Sequence, residues 1–430
     1  MPTAISSADV PGLLKPQMTV FVQGGIGEPL DLIAALKDAP QASADVRYLS
    51  CLVPGVNRTD YAALHDTARL KTFFVPGDLA ASFADGRIDF LPLHYSGICS
   101  YLEDHPPVDM ALIQVAPPDA DGMCSLGLSL DFVPIMFDKS KVVVAEVNAA
   151  MPSPPGSPKI PYERLDYVVE CDHPLIAMET GKISETVERI GAEVANLVED
   201  GCTIQLGIGQ VPAAIVSRLK DRRDLGLQGG MVTDGVMELV EAGALNGSKK
   251  TYEPGKMLCG MALGRQALYD WAAVRDDILF RPATVTHDVR IISQLDNFVS
   301  INSVLEVDLT GQANAEAIGG RQISGTGGLV DFVRGARMGR NGKSIIALMS
   351  TAARGTISRI VPWLENHPVV SCPRADIDYV VTEHGAARLK GRSIDERAEA
   401  LIGVADPKFR GELSEAWERL RRGVVSKARS

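Results

Sequence analysis

Hydrophobic and polar residues repeat one arrangement along this chain: a short apolar run, a glycine break, then apolar residues at helical spacing. TVFVQGGIGEPLDLIAAL (19–36) and CTIQLGIGQVPAAIVSRL (202–219) both follow it. Short runs of β-branched residues are typical of buried strands, and apolar residues three or four positions apart are typical of amphipathic helices. Each segment therefore predicts a strand, a glycine loop and a helix, and the two halves of the chain are predicted to be related units.

Other segments extend this alternation towards the carboxyl terminus. Further strands are predicted at KVVVAEV (141–147), SIIALMS (344–350) and DYVVTEHG (378–385). The spacing of apolar residues in DPKFRGELSEAWERLRRGV (406–424) predicts an amphipathic helix that closes the fold. Strands that alternate with helices are typical of α/β proteins with largely parallel sheets, and we expect that fold class here.

The stretch MPSPPGSPKIPYERLDY (151–167) interrupts the pattern, because it is dense in proline and serine. Proline supplies no backbone N–H, so such a stretch is neither a helix nor a central strand. We expect an excursion between two domains there, with the second domain starting near the predicted helix at 183–201. The sequence thus predicts an N-terminal α/β domain over 1–182 and a C-terminal α/β domain over 183–430.

Composition and charge exclude several classes of protein. Hydrophobic residues make up 46% of the 430 positions and charged residues 23%, as in ordinary soluble globular proteins. The net charge of -11 argues against non-specific binding to nucleic acids or anionic membranes. We expect neither a signal peptide at the start, MPTAISSADV, nor a transmembrane helix. Seven scattered cysteines do not form a disulfide framework, which favours a cytoplasmic location.

Motifs for several chemistries are absent from the sequence. It has no Gly-x-Ser-x-Gly elbow, no His-Glu-x-x-His and no Cys-x-x-Cys. GRNGKS (339–344) is not a phosphate loop, because Arg337 stands where such a loop needs its first glycine. Likewise, Pro212 replaces the third glycine of a dinucleotide fingerprint. The seven histidines lie far apart along the chain, so we expect structural or surface roles for them and no metal site.

Four glycine loops remain, at 24–27, 207–209, 229–230 and within ISGTGGLVDF (323–332). In open α/β folds, ligands bind outside the carboxyl ends of strands. Backbone N–H groups in such loops, and at the helices that follow, suit a phosphate or a developing oxyanion. A tight turn explains any single loop; four in one chain favour a shared anionic ligand.

Longer motifs resemble the acetyl-CoA hydrolase/transferase family of class I CoA-transferases. They are QVAPPDADGMCSLGLSLDF (114–132), TIQLGIGQVPAAI (203–215), DGVMELVEAG (234–243), SINSVLEVDLTGQANAEAIGGRQISGTGGLVDFVRGA (300–336) and VVTEHGAARLKGRSIDERAEALI (380–402). The resemblance implies two similar open α/β domains with largely parallel sheets and an active site between them. It implies an enzyme that moves CoA between short-chain carboxylic acids, with acyl-CoA as substrate and no tightly bound cofactor. We also expect a homo-oligomer.

The same resemblance places the family's nucleophilic glutamate immediately before Met231, where this chain has Gly230. Glycine has no side chain to acylate, so three alternatives stay open. Another carboxylate replaces the glutamate, with Glu28 and Asp234 as candidates, although each also suits a structural role at the start of a helix. Alternatively, the bound acids exchange CoA directly or water attacks, which would make a hydrolase. In the third alternative the protein binds acyl-CoA without turnover.

Positions that contact CoA in the family are retained in this chain. The resemblance assigns Gln205 to the reacting carbonyl and CoA, and Lys343 is a candidate phosphate partner. The remaining CoA positions that it implies are Gly207, Ile208, Gly209, Gln210, Val211, Asn302, Gly325, Gly327 and Gly328.

Overall fold

A computed structural model of the protein describes residues 1–179, 181–364 and 369–426. Two large sheets dominate the fold, and their strands are numbered here in chain order. The first sheet contains β1 (Thr3–Ala4), β2 (Thr19–Val22), β3 (Arg47–Ser50), β4 (Arg69–Thr72), β5 (Ile88–Phe90), β6 (Met110–Val115), β7 (Val143–Asn148) and β8 (Tyr167–Cys171). Its spatial order is β1-β8-β7-β6-β2-β3-β4-β5, and all neighbouring strands are parallel.

The second sheet has a similar construction from the later part of the chain. Its strands are β9 (Thr203–Leu206), β10 (Gly226–Leu227), β11 (Phe298–Ser303), β12 (Lys343–Ala347), β13 (Tyr379–Thr382) and β14 (Gly385–Arg388). The spatial order is β10-β9-β11-β12-β13-β14, and only the last pair is antiparallel. The predicted α/β fold with largely parallel sheets is therefore confirmed.

Helices and short ladders cover the two sheets. The helices are α1 (Leu30–Asp38), α2 (Ala80–Ala84), α3 (Tyr95–Asp104), α4 (Val133–Lys139), α5 (Glu185–Ala195), α6 (Gln210–Ser217), α7 (Asp234–Glu241), α8 (Gln266–Ala273), α9 (Ala283–Thr286), α10 (Val289–Ile292), α11 (Leu329–Met338), α12 (Ile394–Val404) and α13 (Arg410–Ser426). Local chemistry fixes some of their ends: the Ser184 side chain caps α5, and Ser393 and Glu396 form a capping box on α12. Among the described helices, none is long and apolar enough to cross a membrane.

The two strand–loop–helix predictions correspond to real elements. In the first, β2 leads through a glycine turn into α1; in the second, β9 leads into α6. Of the Pro-rich stretch 151–167, only its last residue enters the first sheet, at the start of β8. The Gly156 carbonyl accepts hydrogen bonds from Phe280 N (3.1 Å) and Arg281 Nη1 (3.1 Å). The stretch therefore contacts the later part of the chain.

One hydrophobic core lies between the two sheets. In β2, Val20 points to a cluster on the outer face, whereas Phe21 joins the cluster on the inner face. That inner cluster continues into the second sheet through Ile204 and Ile301 without interruption. Parallel sheets bury both faces, because each strand places successive side chains on opposite sides. The shared core therefore determines how the sheets are placed relative to each other.

At Gly325 the backbones of the two halves approach so closely that only glycine fits. A β-carbon on Gly325 would lie 2.0 Å from the Phe73 carbonyl oxygen. Hydrogen bonds on either side hold the approach: Val75 N to Ser324 O (3.3 Å) and Tyr95 N to Gly327 O (3.0 Å). A side chain at position 325 would therefore push two backbones apart.

We expect Gly325→Ala to lower the free energy of unfolding by about 1–3 kcal/mol, because backbone atoms move only at a cost. Urea denaturation measures the change. The matched control is Gly77→Ala, since a β-carbon there has no neighbour within 4 Å. Its effect should stay within about 0.5 kcal/mol. Equal effects of the two substitutions would show that the contact at position 325 does not hold the halves together.

Candidate active site

A cavity of about 370 Å³ lies where the carboxyl ends of both sheets meet. Val53 and Phe74 reach it from the loops after β3 and β4, and Gly207 and Ile208 reach it from the loop after β9. Its volume is in the range of small-molecule sites. The edge at which parallel strands end is also where open α/β folds bind ligands. We therefore take this cavity as the candidate active site.

Three polar side chains form a network on the second-sheet side of the cavity. Gln205 Oε1 accepts hydrogen bonds from Ser300 Oγ (3.2 Å) and from Asn302 Nδ2 (3.1 Å). Gln205 is the third residue of β9, and Ser300 is its partner on the adjacent strand β11. Gln205 and Asn302 both line the cavity. The network fixes their amide groups, so they present defined donors and acceptors to a ligand.

The loop after β9 reaches the cavity with only part of its length. Gly207 and Ile208 line it, whereas Gly209 precedes α6 with φ +104° and lines a smaller adjoining cavity. Gln210 and Val211 are the first two residues of α6, and the Gln210 side chain donates to the Lys182 carbonyl (3.1 Å). The structure therefore brings two of these five predicted residues to the cavity and places the other three at its side.

The glycines of the 323–332 segment form another part of the cavity wall. Gly325, Gly327 and Gly328 all line the cavity, together with Ser324 and Thr326. Gly327 has φ +58°, a conformation that glycine adopts most easily. This loop leads into α11, and it packs against Phe73 and Phe74 of the first half. The wall is thus backbone-rich, and it belongs to the contact between the halves.

His287 occupies the space beside Gly230. A β-carbon on Gly230 would lie 3.3 Å from His287 Cε1 and 3.5 Å from Nε2, and one on Gly328 would lie 2.5 Å from Cδ2. The imidazole also packs against Tyr95, with ring centroids 4.3 Å apart. Burial lowers the pKa of His287 to about 3, so the ring is neutral at physiological pH. The sequence predicted a structural or surface role for this histidine and missed its place in the cavity.

Asp131 faces Gly230 from the first half of the chain. Leu130 N donates to the Gly260 carbonyl (3.0 Å), and Gly260 N donates to the Gly230 carbonyl (2.9 Å), so three segments lie side by side. The β-carbon that Gly260 lacks would lie 3.0 Å from Asp131 Oδ1 and 3.2 Å from Gly230 O. Asp131 therefore lines the cavity next to the position where the resemblance places a glutamate. It lies in the quoted motif 114–132, but nothing in that motif marked it as a site residue.

Of the ionisable groups of the cavity, His287 and Tyr95 are neutral near pH 7, whereas Asp131 is partly ionised there. Burial raises the pKa of Asp131 to about 7, and the Tyr95 hydroxyl, which hydrogen-bonds to this carboxylate, opposes the shift. Burial and the Asp131 charge raise the pKa of Tyr95 well above its ordinary value. Among the described residues that line the cavity there is no lysine or arginine. The cavity thus offers one carboxylate with a raised pKa and, among its described lining residues, no cationic side chain to pair with it.

Three further predicted residues, besides Gly209, Gln210 and Val211, lie outside this cavity. Glu28 is buried and accepts hydrogen bonds from Tyr61 Oη (2.8 Å) and Asn57 Nδ2 (3.1 Å). Asp234 begins α7, lines the smaller cavity and accepts a hydrogen bond from Arg265 N (3.2 Å). Lys343 is the first residue of β12, at the amino edge of the second sheet. Its Nζ lies 2.6 Å from Glu199 Oε1, so the structure does not bring it to the carboxyl edge where the cavity opens.

Comparison with known proteins identifies the family. The model of the acetyl-CoA hydrolase/transferase N-terminal domain matches residues 3–178, and that of the C-terminal domain matches residues 264–417. The chain belongs to the acetyl-CoA hydrolase/transferase family. The resemblance drawn from the sequence motifs is thereby confirmed.

Named members of the acetyl-CoA hydrolase/transferase family are similar over most of their length. The 4-hydroxybutyrate coenzyme A transferase of Clostridium kluyveri is 40% identical over 395 residues, which cover 92% of each chain. The butyryl-CoA:acetate CoA-transferase of Anaerostipes caccae is 36% identical over 334 residues, 75% of each chain. The crystal structure of RipA from Yersinia pestis superposes with a TM-score of 0.91 and 32% identity, covering 97% of this chain and 98% of RipA.

We expect Asp131→Asn to make the protein more stable at about pH 8. In the unfolded chain this carboxyl has an ordinary pKa near 4, so the folded protein binds more protons between about pH 4 and about pH 7. Wild-type stability therefore falls as the pH rises through that window, whereas asparagine does not ionise. The expected gain at about pH 8 is about 1–3 kcal/mol, and it should shrink towards about pH 4.

Urea denaturation at the two pH values measures the gain. Asp138→Asn is the matched control on α4, because that side chain is 69% exposed and pairs with Arg164 at the surface. Its effect should be small at both pH values. A gain from Asp131→Asn that does not change with pH would contradict the raised pKa.

We expect Gly230→Glu to destabilise the protein by about 1–3 kcal/mol, because the new side chain meets His287. Adding His287→Ala should relieve part of that cost, so the two substitutions should couple favourably by about 1 kcal/mol. A double-mutant cycle in urea measures the coupling. Strictly additive effects would show that His287 does not occupy the space at position 230.

Proposed function

We propose that the protein transfers CoA between short-chain carboxylic acids and binds its acyl-CoA substrate in the cavity between the two sheets. The observation that carries the proposal is the cavity itself: the Gln205–Asn302 network and two glycine loops converge on it at the carboxyl edges of both sheets. Similar members of the family are named as CoA-transferases for 4-hydroxybutyrate and for butyrate and acetate. Those names support short acids as the substrate class.

The lining of the cavity suits a short acyl chain next to a thioester. Most of its larger side chains are apolar, namely Phe74, Ile208, Met261, Leu329 and Phe332. Polar groups are few and are held in place, which is the usual composition of a specific small-molecule pocket. Backbone N–H groups of the 207–208 and 325–328 loops are suited to a thioester oxygen. A β-carbon on Gly207 has no neighbour within 4 Å, so the loop leaves open space for a ligand.

The start of α6 supports a place for the anionic part of CoA. Gly209 and Gln210 are exposed at the amino end of this helix, beside the cavity. The first N–H groups of a helix have no partner within the helix and favour anions. Local groups of this kind are needed, because the whole chain carries a net charge of -11. No tightly bound cofactor is required, because CoA itself is the transferred group.

Hydrolysis of acyl-CoA is the second candidate function, because Gly230 brings no side chain to the cavity. Binding without turnover is the third. The proposal also includes a cytoplasmic location and a homo-oligomer. Seven unpaired cysteines, six of them buried, support a reducing compartment.

The proposal is tested by exchange between acetyl-CoA and isotopically labelled short acids, including butyrate and 4-hydroxybutyrate, with mass spectrometry of the thioesters. We expect labelled acyl-CoA to form far faster than in buffer. Release of free CoA without labelled thioester would replace transfer by hydrolysis. If neither labelled acyl-CoA nor free CoA forms, binding of acyl-CoA without turnover is the remaining function.

Gly209→Val tests whether CoA binds at the start of α6, with the same exchange assay and with calorimetry. A β-branched side chain at φ +104° is strained and obstructs the start of α6, so we expect weaker CoA binding by calorimetry and slower exchange. Gly243→Val is the matched control: it has φ +73°, has no neighbour within 4 Å and lies at the end of α7. Equal losses of CoA affinity in the two variants would show that CoA does not bind at the start of α6.

A further inference from the structure

Asp131 is the only carboxylate among the described residues that line the main cavity. It reaches the cavity from the first half of the chain, whereas Gly230 and the Gln205–Asn302 network reach it from the second. The two candidates chosen from the sequence, Glu28 and Asp234, lie outside that lining and have hydrogen-bond partners of their own. The cavity therefore offers one carboxyl group to a bound acyl-CoA.

Transfer of CoA between two acids makes a specific chemical demand. The energy of the thioester has to be kept while the acyl group is exchanged. An attacking carboxylate meets that demand, because the mixed anhydride that it forms is reactive enough for the CoA thiolate to return. A serine or threonine hydroxyl would form an ordinary ester, which a carboxylate does not readily convert back into a thioester. The hydroxyls of Ser324 and Thr326 are therefore unsuited to the transfer.

We propose that Asp131 is the nucleophile of this protein and carries CoA as an aspartyl thioester during the transfer. The inference rests on the CoA transfer proposed above and adds the residue that performs it. It assigns a catalytic role to a residue in the first half of the chain. Gly230 then has a different role: without a side chain, it leaves room for His287 and for the acyl group beside Asp131.

The bonds balance without any further reactant. A carboxylate oxygen of Asp131 attacks the thioester carbon, the carbon–sulfur bond breaks and the CoA thiolate leaves with the electron pair. The thiolate then attacks the aspartyl carbonyl of the anhydride and expels the first acid as its carboxylate. The carboxylate of the incoming acid attacks the carbonyl of the aspartyl thioester, and the CoA thiolate leaves. The thiolate then attacks the acyl carbon of the new anhydride, and the Asp131 carboxylate leaves with the electron pair. No net proton, oxidant or reductant is consumed.

Backbone geometry holds Asp131 in an unusual conformation at this point. Its φ is +36°, in the left-handed region that non-glycine residues rarely adopt. The Asp131 carbonyl accepts a hydrogen bond from Ala283 N (3.1 Å), and Leu130 is tied to Gly260. Such strain persists only where surrounding contacts impose it, and it concentrates at functional sites. The contacts that impose it come from the second half of the chain, so the position depends on the assembled fold.

The neighbours of Asp131 suit a reactive carboxylate. Tyr95 hydrogen-bonds to it and, through its ring, contacts His287. His287 is neutral, so it adds no charge that would bind the carboxylate in an ion pair. The Asp131 side chain is half-buried, and no lysine or arginine is among the described residues that line the cavity with it. Such a carboxylate is less solvated than an exposed one, which favours attack once it is ionised. Tyr95 acts in this arrangement as a positioning residue.

Chemical trapping tests the proposal on the full wild-type chain. The protein is incubated with acetyl-CoA and then treated with borohydride, which reduces an aspartyl thioester to homoserine, and the peptides are mapped by mass spectrometry. We expect homoserine at position 131 and only after incubation with acetyl-CoA. Modification of a different carboxylate would overturn the proposal. So would exchange activity in the wild type with no trapped residue.

Asp131→Asn provides the second test. Asp138→Asn is its control, because it makes the same substitution at an exposed aspartate of α4. We expect Asp131→Asn to lose at least about 100-fold of the exchange rate and all trapping, while its CoA affinity in calorimetry stays within about threefold of wild type. Asp138→Asn should behave as wild type in all three measurements. An Asp131→Asn protein that binds CoA and still exchanges at the wild-type rate would refute the role of Asp131.

These results separate the two proposals. A wild-type protein that shows no exchange refutes CoA transfer, and the trapping result still decides whether Asp131 attacks the thioester. A wild-type protein that exchanges CoA without any dependence on Asp131 supports the transfer and refutes the nucleophile.

Discussion

The hydrophobic core between the two sheets is the constraint on which the rest of the structure depends. Strands of both sheets contribute their inner faces to it, from Phe21 and Ile113 on one side to Ile204 and Ile301 on the other. Burying apolar side chains on this scale outweighs any single polar contact in the cavity. Because the core sets how the sheets face each other, it also brings their carboxyl edges to a common cavity. The functional groups are then supplied by residues near the ends of β9 and β11, such as Gln205 and Asn302, and by the loops around those edges.

Glycine allows close packing around the cavity, both between the two halves and within the second half. At Gly325 a β-carbon would overlap the Phe73 carbonyl, and at Gly328 it would overlap His287. At Gly260, where Asp131 and the Gly230 carbonyl meet, the missing β-carbon leaves space between them. The glycine-rich loops thus serve packing as much as ligand binding. The same positions that let the backbones meet also leave the space in which a substrate fits.

Burial imposes opposite changes on the two titratable groups beside Gly230. The pKa of Asp131 rises to about 7 and that of His287 falls to about 3, because burial disfavours the charged form of each group. Ionising Asp131 in this environment destabilises the folded state, and the proposed nucleophile therefore opposes stability near neutral pH. Costs of this kind are common at active sites, where reactivity and stability make different demands on the same residue. The large shared core allows the fold to tolerate that cost.

The sequence by itself determined the elements and the family. The strand, glycine loop and helix at 202–219 follow from local periodicity, and the family follows from motifs that are contiguous along the chain. Only the tertiary structure brought Asp131, Gly230 and His287 together, because residues distant in sequence meet through the packing of two sheets. It also left Glu28 among its own hydrogen-bond partners, and it placed Lys343 at the amino edge of β12, away from the cavity. Periodicity reports which face of an element is buried, but the neighbours of a side chain depend on strand order, strand direction and the shared core.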